Sequence, residues 1–213
     1  MDKIAYNKNV TSINSMRHKK DKKGGGLTIL HKIDKDNKLD IQTSENNDIL
    51  DVRGKIQNTK IRIISVNLSI DSSNDDDKIR NINLKREIVN KIEQSDAEEA
   101  LIILGDFNGH TGFLGHQKLD NNGQFIIELM DNHSLILLNN DTNCKGLYTW
   151  SRKDQKSIID YILVNKTMYD RFLDMNIDEN KEILDISDHH LMTAKFRITN
   201  TRTTNGKRTK WED

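Results

Sequence analysis

Asp106 and Asn108 stand two positions apart in Gly105-Asp106-Phe107-Asn108, directly after the apolar run Leu101–Leu104. A strand of that composition delivers both polar residues from its C-terminal end. Period-two geometry sends the two side chains one way and turns Phe107 inward. A carboxylate beside a carboxamide suits phosphoryl chemistry: one group orients or deprotonates water, and the other hydrogen-bonds a phosphate or holds its neighbour. Asp and Asn are also ordinary turn formers after a strand, so the pair alone leaves both readings open.

A second candidate is Ser187-Asp188-His189-His190, just before the last apolar stretch. Asp188 offers oxygen to a hard cation, and His189 can hydrogen-bond a phosphoryl oxygen or carry a proton. Asp-His-His also raises a zinc site, with His110 and His116 as further ligands. Zinc motifs are usually tighter and often contain Cys, whereas Cys144 sits in no such motif. A solvated loop is the plain alternative. The third candidate is Asp160, which interrupts the otherwise apolar Ile158–Val164. A carboxylate buried there needs a partner, and a histidine would serve, fixing its own tautomer in return. An edge-strand Asp facing water is the alternative.

The elements that must position these residues read as strands with a few helices between them. Leu27–Ile33, Asp48–Arg53, Ile61–Ile70, Leu101–Leu104, Leu135–Leu138 and Leu191–Ile198 have strand composition. In Ile61–Ile70, Ile61, Ile63 and Ser65 share one face while Ile64, Val66 and Leu68 share the other, which places the strand inside a sandwich. Turns are expected at Gly54-Lys55 and Gln57-Asn58-Thr59. Asp75–Asp77 suit the first turn of a helix, and Ile79, Ile82, Ile88, Val89 and Ile92 recur at helical spacing to about Gln94. Further helices are expected over Phe125–Asp131 and Thr167–Phe172. Leu147–Ser151 and Ser157–Val164 read as a hairpin around the polar Arg152–Lys156. This pattern fits two packed sheets with helices outside.

Bulk properties narrow the classes without choosing among them. The chain of 213 residues fits one large domain; it is 34% hydrophobic and 31% charged, with a mean hydropathy of −0.74. Its apolar residues cluster into strand-length runs, which supports a core and is too short for a bilayer span. The N-terminus lacks an apolar signal region, and one cysteine excludes an internal disulfide; together these predict an intracellular, non-secreted protein. Lys+Arg and Asp+Glu both number 33, so net charge gives no argument for nucleic acid. The basic runs at 17–23 and 202–210 could touch phosphates, although solvated tails are the commoner meaning of such runs.

Taken in order, Gly105-Asp106-Phe107-Asn108, Thr149-Trp150, Ser157-x-x-Asp160-Tyr161 and Ser187-Asp188-His189 form a four-part series. It resembles the signature of the endonuclease/exonuclease/phosphatase superfamily, and specifically its AP-endonuclease-like members. Gly24-Gly25-Gly26-Leu27-x-Ile29-Leu30 resembles the family's Gly-Gly strand, so the likeness runs from about residue 24 to 198. It implies an α+β fold, a four-layered α/β/β/α sandwich of two mainly antiparallel sheets with outer helices. It also implies Mg²⁺- or Mn²⁺-dependent hydrolysis of phosphate esters. By matched position, Asp106 orients or activates water, Asn108 supports it, His189 pairs with Asp160 and steadies phosphoryl charge, and Asp188 helps hold the metal. Gly-Asp-Phe-Asn-Gly-His-Thr-Gly resembles endonuclease domains of non-LTR retrotransposons, which implies DNA, gripped by its phosphate backbone, as partner, a nuclear address, and a reverse transcriptase downstream.

Two departures accompany the likeness. The family's early Asn strand and metal-binding Glu have no counterpart before Gly24, so a fold incomplete at its N-terminus is expected. Asn67 also stands where the family usually places a phosphate-contacting Tyr. The expected organisation is a flexible lead-in over 1–23, the domain over 24–199, and a polar tail over 200–213. A phosphatase acting on a small phosphorylated ligand, and a non-catalytic nucleic-acid-binding remnant, are the competing functions.

Overall fold

The computed structural model describes residues 10–16, 26–32, 37–42, 47–70, 75–115, 118–183 and 186–198. In chain order the elements begin β1 (Val10–Met16), β2 (Gly26–Lys32), β3 (Asn37–Gln42), β4 (Ile49–Ile56), β5 (Thr59–Asn67), α1 (Asp75–Glu93) and β6 (Ala100–Asp106). They continue with α2 (Asn121–His133), β7 (Ile136–Leu137), β8 (Cys144–Lys145), β9 (Trp150–Arg152), β10 (Gln155–Ser157), β11 (Asp160–Val164), α3 (Lys166–Tyr169), β12 (Phe172–Ile177) and β13 (Met192–Phe196).

A six-stranded sheet in the order β3-β4-β5-β6-β11-β7 forms the centre. Its β5–β6 pair is parallel and its other pairs are antiparallel. Both faces of β5 are apolar, so the sheet is covered on both sides, as the sequence pattern requires. On one face Ile64, Val66 and Ile103 pack against Leu84, Ile88 and Ile92 of α1 and Phe125, Ile126 and Leu129 of α2. On the other, Ile61, Ile102 and Ile162 pack against Met175 and Ile177 of β12, in a sheet ordered β13-β12-β8. Leu27 and Ile29 of β2 cover Leu50 and Val52 of β4. The result is the expected α+β sandwich.

Several local expectations change. Gly54-Lys55 lies inside β4, and the turn is made by Gln57 and Asn58 alone, both at positive φ (47° and 72°) as a two-residue hairpin of this twist requires. Helix α1 presents Asn81, Leu84, Ile88, Lys91 and Ile92 inward, leaving Ile79 and Ile82 exposed. The reason is polar: Asn81 is turned in to bond the backbone of Ser69 through both its amide nitrogen (2.8 Å) and oxygen (2.9 Å). The expected helix over Thr167–Phe172 shortens to α3, and Phe172 opens β12, whose backbone is claimed by β13 and β8. Val10–Met16, read as part of the flexible lead-in 1–23, is strand β1 paired along its length with β2. The rest of that lead-in, and the tail 200–213, lie outside the described residues.

A buried charge sits between sheet and helix. Arg62, 1% exposed, makes a two-pronged ion pair with Asp51 (2.7 and 2.9 Å) and donates to the Lys91 carbonyl near the end of α1. Such a fork is what lets a guanidinium stay buried.

Candidate active site

Three neighbouring strands bring the polar residues to one end of the sheet. The register sets Asn67 of β5 opposite Asp106 of β6, and Asp106 opposite Asp160 of β11. Just before Asp106 the backbone must take a conformation only glycine tolerates: Gly105 has φ +139°, and a Cβ there would lie 2.0 Å from the Val66 carbonyl oxygen. Phe107 then buries completely, meeting Tyr161 edge-on with ring centroids 5.9 Å apart, as its expected inward turn implied. The Tyr161 hydroxyl sits 2.8 Å from the carbonyls of both Gly109 and Ile158, tying the Asp106 loop to β11.

Asn108, at φ 47°, folds back on Asp106. Its backbone N–H donates to Asp106 Oδ1 (2.9 Å) and its Nδ2 to Oδ2 (3.0 Å), while Nδ2 also reaches the Leu68 carbonyl (2.9 Å). These bonds favour the ionised carboxylate, yet the Asp106 carboxyl is pushed up to about 6. Burial is the larger cause, with the neighbouring Asp160 charge next; together they outweigh Asn108 and His189. His189 Nδ1 lies 3.0 and 3.1 Å from the two oxygens of Asp160. That hydrogen bond raises the imidazole above its usual value against the opposing effect of burial, and leaves Nε2 as the nitrogen available to a ligand. The expected histidine partner of Asp160 is therefore present.

Asp106, Asn108 and His189 line a cleft of about 600 Å³ whose other walls include Ile70, Trp150 and Ile159. Ligand atoms of Asp106, Asp160 and His189 lie within 4.8 Å of one another. Two carboxylates this close, with Asp106 pushed up chiefly by burial and next by Asp160, form a donor set that fits a hard divalent cation.

The remaining candidates fall elsewhere. Asp188 is exposed and outside that three-residue cluster. Desolvation pushes its carboxyl up, but the Trp150 side-chain hydrogen bond, a backbone bond, His189 and Arg152 together hold it below the ordinary range. The zinc alternative fails for His190, which is buried with Nε2 2.7 Å from Ser151 Oγ and Nδ1 2.7 Å from the Tyr148 carbonyl. His110 pairs instead with Asp120 (2.8 Å), and His116 lies outside the described residues. Asn67 occupies the register position beside Asp106.

Sequence reasoning missed two contributors. Asp120 caps α2 by accepting from Gly123 N (2.8 Å) while also holding His110, so the pair joins the cleft wall. Asn122, 1% exposed, donates to the carbonyls of Ser69 (3.0 Å) and Asn108 (3.1 Å), fixing the Asp106 loop from behind. The Asp-Asn-Asn-Gly string before an apolar helix was a legible cap signal for the first; nothing local marked the second.

Fold and site together define an endonuclease/exonuclease/phosphatase architecture. The chain belongs to the family described as Endonuclease-reverse transcriptase, whose model matches residues 61–193. Among solved structures it is similar to the endonuclease domain of TRAS1, a telomere-specific non-LTR retrotransposon, at 20% identity and a TM-score of 0.68, covering 89% of this chain and 81% of that one. A 3′ phosphatase, NExo, from Neisseria, bound to a product DNA hairpin, is similar at 18% identity and a TM-score of 0.64, covering 89% and 80%. The AP endonuclease LMAP from Leishmania major follows at 11% identity and a TM-score of 0.71, covering 90% and 72%. A search of curated proteins finds no significant match. Among the described residues no helix is long and apolar enough to cross a membrane.

Proposed function

We propose that this chain is a DNA-nicking endonuclease domain of a retrotransposon-type protein, hydrolysing a phosphodiester with the help of Mg²⁺ or Mn²⁺. The observation that carries this reading is that Asp106 and Asn108, at the end of β6, share one cleft with His189, whose Nδ1 is held by Asp160 at the start of the paired strand β11.

In this reading Asp106 accepts a proton from the attacking water, and its carboxyl near 6 makes it a base matched to neutral pH. Asn108 fixes the carboxylate's rotamer through its two bonds, so little reorganisation accompanies attack. Asp160 raises the His189 imidazole above its usual value and so favours a positive charge where the phosphoryl oxygens gain negative charge. A divalent cation held by Asp106 and its neighbours would supply further charge neutralisation at the phosphate. Arg152 and Lys153, exposed at the turn between β9 and β10 beside the cleft residues Trp150 and Ser157, suit the phosphates of a DNA strand.

The test is conversion of supercoiled plasmid to open circles by the purified protein with Mg²⁺ or Mn²⁺. EDTA, Asp106→Ala and His189→Ala serve as controls. Nicking abolished in all three controls supports the reading. A folded protein that leaves plasmid intact refutes it. Phosphate release from a 3′-phosphorylated oligonucleotide would then point to a phosphatase, and salt-sensitive binding without turnover to a nucleic-acid-binding remnant.

A further inference from the structure

We infer that His190 is a positioning residue: an imidazole clamp that sets His189 against Asp160. Its ring has no face left for a ligand. A carbonyl oxygen can only accept, so the 2.7 Å contact with Tyr148 puts the proton on Nδ1. Nε2 faces the Ser151 hydroxyl at 2.7 Å, so the second ring nitrogen is also bonded. The backbone repeats the grip, with His190 N–H donating to the Thr149 carbonyl (2.7 Å) and Ser151 N–H to the Asp188 carbonyl (2.8 Å).

The segment so gripped, Tyr148–Ser151, also holds the other partner. Thr149 Oγ1 accepts from the backbone N–H groups of both Ile159 and Asp160 at 3.0 Å, and Thr149 N–H donates to the Ser157 carbonyl (2.9 Å). Thr149 is fully buried and His190 is 6% exposed. One short stretch of β-structure therefore joins the residue before Asp160 and the residue after His189, and its bonds fix the separation of a pair that lies 29 positions apart in the chain. Solvation of a loop does not account for an imidazole with both nitrogens satisfied by the same short segment.

The inference rests on the nuclease reading for its kinetic test, so wild-type nicking is measured first. His190→Ala should lower kcat about tenfold or more, because a small misplacement of a catalytic group costs that much, with KM within about twofold of wild type. His190→Asn, whose amide N–H stands where Nδ1–H stood, should recover part of the loss. In a His189→Ala background the second substitution should cost nothing further, since the clamp acts through His189. A folded His190→Ala protein with unchanged kcat, or an equal further loss without His189, overturns the inference. If wild type itself does not nick, the nuclease reading fails and amide hydrogen exchange decides the clamp. Loss of protection at Ser151, His190 and Asp160 in His190→Ala, with β6 amides unchanged, sustains it; unchanged protection overturns it.

Discussion

Replacing Asp106 with Asn should make the protein more stable at neutral pH while removing the proposed base. The folded carboxyl titrates at about 6 against an ordinary 3.8, because burial and Asp160 disfavour its charge. A raised carboxyl means that the folded state binds more protons than the unfolded between these values, so stability falls as pH rises through 6. At about 1.4 kcal/mol per pH unit, the ionised group costs about 3 kcal/mol at pH 7. Asn abolishes that cost but loses one acceptor for Asn108 Nδ2, about 1 kcal/mol. A net gain of about 2 kcal/mol, or about 4–8 °C in Tm for a chain of this size, is expected. The assay is thermal and urea unfolding of both proteins in EDTA from pH 4 to 8. The gap should close below pH 4, where both side chains are neutral, and Mg²⁺ should raise wild type alone. Equal stabilities at pH 7, or a gap that widens toward acid, would refute the electrostatic account of the site.

Three further outcomes follow from other contacts. The pH profile of kcat/KM for nicking should be bell-shaped, with an acid limb near 6 from Asp106 and an alkaline limb above 6.5 from His189, whose charged form Asp160 favours; His189→Ala should remove the alkaline limb along with about 10²–10⁴ in kcat. Gly123→Ala places a Cβ 1.8 Å from the His110 carbonyl oxygen, forcing α2 off the Asp106 loop; a loss of about 3 kcal/mol by urea titration is expected, with nicking lost in protein that still folds. Asp51→Ala strands the buried charges of both Arg62 and Lys91 and should cost about 3–5 kcal/mol in the same titration.

The sequence alone determined the class of fold and named most residues of the candidate site. Apolar runs of strand length, the two-faced Ile61–Leu68 and polar residues at strand ends are local patterns, and local patterns survive being read one at a time. Phe107 turning in and Asp160 needing a histidine were both legible because an apolar neighbourhood makes a polar residue account for itself. Tertiary structure alone decided which carboxylates meet. Asp106 and Asp160 are 54 positions apart and meet only because β6 and β11 pair in one register. Asp188, adjacent to His189 in sequence, stays outside the cluster, because contacts between distant segments and not adjacency in the chain decide which side chains meet. Asn122 and Arg62 carried no local signal for the same reason. Their burial depends on carbonyls and carboxylates supplied by segments 11 to 53 residues away, and the free energy of burying a polar group is set by its partner, which periodicity does not encode.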